Sequence, residues 1–67
     1  MSVAKVTEIS STSTKSFEDA ITSGLARAHK TIRNVKSAWI KEQQVRIDQG
    51  QIVEYQVNLL LTFVLDD

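Results

Sequence analysis

From Glu54 to Leu65 the chain reads EYQVNLLLTFVL, with apolar residues in both phases of a two-residue repeat. Side chains alternate along a strand, so Tyr55, Val57, Leu59, Leu61, Phe63 and Leu65 share one side. Gln56, Asn58, Leu60, Thr62 and Val64 share the other. The first set is a core face; the second becomes apolar toward its end and predicts a partner at Leu60 and Val64. Upstream, Phe17, Ile21, Leu25, Ala28, Ile32 and Val35 recur at steps of three or four, the spacing of one helical stripe. Val3 to Ser10 alternates loosely, carries β-branched residues and runs into the STSTKS cluster, which predicts a first strand and its end. Ser16 with Asp19 predicts a cap at the start of the helix, and Lys30, Arg33 and Lys36 complement the dipole at its other end.

Between the helix and the last strand, SAWIKEQQVRI (Ser37 to Ile47) places Ala38 and Ile40 in one phase and Val45 and Ile47 in the other. A slip of one residue across EQQ predicts a β-bulge. Asp48, Gln49 and Gly50 then form a polar break, so the two long strands form a hairpin. The expected fold is α+β with element order β-α-β-β: a single domain over residues 1–67 in which a three-stranded antiparallel sheet carries one helix. A final strand of about 35–40 Å outruns a five-turn helix, so part of the sheet needs cover from other subunits.

Composition narrows the means of stabilisation. The 67 residues include no cysteine, no proline, two glycines and one histidine, His29. Disulfides and the usual zinc spacings are excluded, which leaves oligomerisation as the support for a small core. Eight basic residues balance eight acidic ones, so no nucleic-acid partner is expected. No apolar run reaches the length of a membrane span, and charge stands in the N-terminal stretch where a signal peptide would be apolar. The expectation is a cytoplasmic protein without a membrane partner. No nucleophile, base and orienting group stand at recognisable spacing, so enzymatic chemistry is not expected. Glu42 and Arg46 are read as salt-bridge partners between subunits, and His29 as a solvated histidine.

Across nearly its whole length the chain resembles the dodecins. The resemblance rests on Val3, Lys5 and Val6 with Thr12 and Ser13, on LARAHKTIR (Leu25 to Arg33), and on EYQV followed by alternating apolar residues and TFVL. It implies the β-α-β-β fold and a hollow homododecamer. In many dodecins a tryptophan at the start of the second strand stacks on flavin, and a glutamine on the third strand hydrogen-bonds the polar edge of the ring. Gln56 matches that glutamine.

Aligned without gaps, Ser37 stands at the tryptophan position and Trp39 follows one strand period later, on the same face. An alignment with compensating gaps pairs Trp39 and Arg46 with the family's tryptophan and arginine. It also sets Glu42 at an inward valine position and Ile47 at a glycine, so the ungapped alignment is preferred. Trp39, Gln56, Ser37 and Arg46 are therefore the candidate residues for riboflavin or FMN, bound for storage or sequestration. The alternative is a cage without flavin, structural or calcium-binding, because the calcium dodecins lack the tryptophan and carry an EQ pair like Glu42 and Gln43. The acids Glu8, Glu18, Asp19, Glu42, Asp48 and Glu54 are scattered, so no calcium ligands are named. Without the resemblance, Trp39 reads as an interface anchor and Gln56 as a satisfied interface amide.

Overall fold

The structure is a computed structural model, and it describes residues 2–65. Four elements follow the expected order: β1 (Ala4–Ser13), α1 (Phe17–His29), β2 (Val35–Asp48) and β3 (Gln51–Val64). The sheet is antiparallel with order β1-β3-β2, so the last strand of the chain lies in the centre. That position accounts for its two-phase hydrophobicity. Val57, Leu59 and Leu61 are fully buried beneath the helix, while Leu60 and Val64 on the opposite face are half-buried between the flanking strands.

α1 begins where its cap predicts: Ser16 Oγ accepts the Asp19 amide at 2.9 Å, with Glu18 and Asp19 in the first turn. Ala20 and Ala28 are buried against the sheet, and Phe17, Ile21 and Leu25 pack beside them. Gly24 lets the helix approach β1 closely, since a Cβ there would stand 2.9 Å from Ser11 Cβ. Ser11 Oγ donates to the Ala20 carbonyl at 2.7 Å across the same contact.

The helix ends sooner than its apolar stripe implies. It closes at His29, with Lys30 as its C-cap, and Asn34 takes a φ of 62° before β2 begins. Ile32 and Val35 still pack on the core, but from a turn and from a strand. Arg33 and Lys36 consequently lie beyond the helix, and Arg27 and His29 occupy its last turn. The strands are longer than expected: β1 continues through Ser13, β2 spans Val35–Asp48 and β3 starts at Gln51.

The phase slip in β2 corresponds to a bulge at Lys41, between Ile40, opposite Leu59, and Glu42, opposite Asn58. It lies one residue before the EQQ segment. Two further irregularities leave Lys36 and Val53 without a direct partner. Asp48 pairs with Gln51, and Gln49 and Gly50 have φ values of 51° and 77°, as a two-residue type I′ hairpin requires.

β1 ends opposite Tyr55, so the tip of the β2–β3 hairpin continues as two strands alone. The protomer is elongated, 52 × 19 × 13 Å, with a radius of gyration of 13.9 Å. A compact chain of this length would have a radius near ~11 Å. Its exposed area is 5143 Å², against about 4,200 Å² for a compact monomer of this mass. Such excess area is a property of a chain shaped for association. No helix among the described residues is long and apolar enough to cross a membrane.

Candidate functional site

Residues directly opposite one another in an antiparallel sheet share a face, so the strand register assigns the surface turned away from the helix. Across β1, β3 and β2 its rows read Val6, Thr62, Ser37; then Glu8, Leu60, Trp39; then Ser10, Asn58, Glu42; then Thr12, Gln56, Gln44. Arg46 follows, opposite Glu54. All four candidates, Ser37, Trp39, Gln56 and Arg46, are therefore on one face.

Trp39 is 70% exposed and stands over the Leu60 row with no helix above it. At its side, Lys41 reaches back across the sheet from the bulge and places Nζ 3.2 Å from Glu8 Oε1. The bulge supplies this pair, since the extra residue resets the side chains that follow it. Glu8 and Lys41 were absent from the sequence-derived set; the phase slip signalled a bulge, but the partner across two strands requires the strand order. The pair is half-exposed, so its contribution to stability is small, about 0–1 kcal/mol.

Gln56 donates from Nε2 to Ser10 Oγ at 2.9 Å, which orients its amide and leaves the carbonyl oxygen as an acceptor on the open face. Its cross-strand neighbour is Gln44, a second amide missed in the sequence because the register was not yet known. Asn58 Nδ2 donates to Glu42 Oε1 at 2.8 Å, and Arg46 Nε stands 3.3 Å from Glu54 Oε1. Glu42 and Arg46, expected to bridge subunits, thus find their partners within the chain. Both pairs stand directly opposite one another in the β2–β3 register.

At one end of the face Val6, Leu60 and Trp39 stand among Thr62, Ser37 and Glu8; at the other Gln56, Gln44, Ser10 and Thr12 are all polar. Leu60 and Gln56 are four residues apart, so Trp39 and Gln56 are separated by roughly 13–14 Å along the strands. Arg46 is farther still. The indole and the amide therefore stand at separate ends of the face. His29 is exposed on α1, remote from this face. Among the described residues, no three His, Asp or Glu side chains converge as a metal-binding group would require.

The same arrangement of strands and helix occurs in known proteins, and a family model described as Dodecin matches residues 3–66. The chain belongs to the dodecin family. The dodecin of Thermus thermophilus is 38% identical over 65 residues, covering 97% of this chain and 94% of that protein. The calcium dodecin of Mycobacterium tuberculosis is 32% identical over 63 residues, covering 94% of this chain and 89% of its own. The solved dodecin of Streptomyces coelicolor superposes with a TM-score of 0.92 at 29% identity, over 98% of this chain and 94% of that one. The crystal structure of the Mycobacterium tuberculosis protein, described as a calcium-chelating antigen with a novel calcium-binding site, gives a TM-score of 0.82 at 32% identity, over 97% of this chain and 93% of its own. The β-α-β-β dodecin fold extends across all of these relatives.

Proposed function

We propose that this dodecin-family chain assembles into a hollow homododecamer and holds riboflavin or FMN at a junction between protomers, as a storage or sequestering protein and not as an enzyme. The observation that carries this reading is the exposure of Trp39, 70% open to solvent on a sheet face that its own helix cannot reach. An indole in that position stacks on a planar ring and excludes water from it, which supplies affinity and quenches flavin emission. Gln56, held by Ser10, offers its amide to the polar edge of a ring contributed to the face from a neighbouring chain. Their separation within one chain is consistent with a site completed by a second.

A second reading has its own observation. Ser37 occupies the aligned tryptophan position, and a relative is named a calcium dodecin. A cage without flavin, structural or calcium-binding, would use Trp39 as packing between protomers. Titrating flavin-stripped protein with riboflavin and with FMN, while following flavin fluorescence and sedimentation, separates the two. Saturable quenching by a large assembly supports the first reading; a large assembly that leaves the fluorescence unchanged supports the second.

A further inference from the structure

The sheet face that carries Trp39 holds more negative charge than positive. The register places Glu8 of β1, Glu54 of β3, and Glu42, Arg46 and Asp48 of β2 on that face, and Lys41 reaches it from the bulge. Both cations are already engaged, Lys41 Nζ at 3.2 Å from Glu8 Oε1 and Arg46 Nε at 3.3 Å from Glu54 Oε1. Glu42 has only a neutral partner among the described residues, the Asn58 amide that donates to it at 2.8 Å. Asp48 has no ion-pair partner among them. Two carboxylates are thus left uncompensated. Lys5, opposite Phe63, shares the side covered by the helix, and Lys36 lines the groove between α1 and β2, so neither supplies the missing charge.

The ring of charge lies close around the indole. Glu8 shares the row of Leu60 and Trp39, and Glu42 begins the next row. At strand and residue spacings of about 4.8 and 3.4 Å, both stand within roughly 10 Å of Trp39 along the backbone. That is about one Debye length at physiological salt, so their fields are only partly screened there.

We infer that this face selects an uncharged flavin over a phosphorylated one, riboflavin over FMN, and that the Glu8–Lys41 pair sets the degree of selection. This selectivity rests on the flavin reading and names the ligand class of that site. The two ligands share the ring that stacks on Trp39 and the ribityl chain; they differ in a phosphate monoester carrying about −1.5 to −2 charge at pH 7. On this face the phosphate meets the Glu42 carboxylate and finds no uncommitted cation. Engaging Lys41 means releasing Glu8, which then stands as a bare carboxylate beside the anion. Lys41 masks Glu8, and Glu8 in turn keeps Lys41 from anchoring a phosphate. Removing either partner therefore moves the selectivity in opposite directions.

Parallel titrations of flavin-stripped protein with riboflavin and with FMN, at low and at high salt, give the ratio of the Kd for FMN to the Kd for riboflavin. At low salt the wild-type ratio is expected to be about 3 to 10, falling toward one as salt is added. Glu8→Gln, which frees the ammonium, should lower the ratio, and Glu42→Gln should lower it as well. Lys41→Met, which keeps an unbranched stem and uncovers Glu8, should raise it. A merely structural role would weaken both ligands alike and leave the ratio where it was. An exposed pair contributes little to stability, so these variants keep the fold, which circular dichroism checks. A wild-type ratio at or below one, a ratio that salt leaves unchanged, or failure of Glu8→Gln or Lys41→Met to shift it in the stated direction overturns the selectivity while the flavin reading stands. No quenching by either ligand would instead remove the flavin reading, and the selectivity with it.

Discussion

Trp39 stands directly across from Leu60 on the sheet face turned away from the helix, and Gln56 lies four residues farther along the strand that carries Leu60. The indole and the amide therefore occupy one surface but separate ends of it. Trp39 and Leu60 thus stand among mixed neighbours at one end of the outer face, and Gln56, Gln44, Ser10 and Thr12 form a wholly polar end.

Replacing Trp39 with alanine is expected to weaken riboflavin or FMN binding by about 5- to 150-fold, since stacking on an aromatic side chain contributes on the order of 1–3 kcal/mol. Fluorescence titration measures the loss, and sedimentation should show the assembly intact. Disassembly of Trp39→Ala would identify the indole as an interface anchor. In the same background, Ser37→Trp should recover quenching if the aligned position faces the same ring.

Gly24→Ala should destabilise the fold although alanine is the better helix former. The new Cβ would lie 2.9 Å from Ser11 Cβ, pushing the helix off β1. Overpacking of this kind costs about 1–3 kcal/mol, which corresponds to a fall in Tm of about 4–8 °C per kcal/mol for a chain this size. Thermal unfolding followed by circular dichroism checks it; an unchanged or raised Tm would show that the helix–strand contact yields without cost.

Leu59→Ala removes a side chain with no exposed area from the centre of the sheet. The expected cost is about 2–5 kcal/mol, a large share of what a core this small supplies. Denaturant unfolding at fixed protein concentration should show it, with Leu65→Ala at an exposed position changing little by comparison.

Gln49 has a φ of 51° in the hairpin turn, a conformation that asparagine adopts more readily than glutamine. Gln49→Asn, which places Asn before Gly50, is expected to stabilise the hairpin, because Asn-Gly is a preferred pair for a type I′ turn. A small rise in Tm and slower amide exchange near Ile47 and Ile52 would report it; faster exchange would contradict the turn geometry.

Several features were determined locally and so were legible in the sequence. The cap at Ser16, the turn at Gly50, the phase slip in β2 and the two-faced last strand each depend on residues close together in the chain. The α+β order follows from them. The end of the helix was not legible, because Ile32 and Val35 continue the helical spacing and also face the core from a turn and a strand; periodicity reports the direction of burial, not the backbone that achieves it. Alternation likewise put Ser37 and Trp39 on one face of β2. Only the register placed Trp39 against Leu60, paired Gln44 with Gln56, gave Glu42 and Arg46 partners within the chain, and brought Lys41 to Glu8. These are contacts between residues distant in sequence, set by which strand lies in the centre and by where each bulge falls. The flank at β2 has the same origin: the helix packs on β1 and β3, and only tertiary packing decides which strand it leaves less covered.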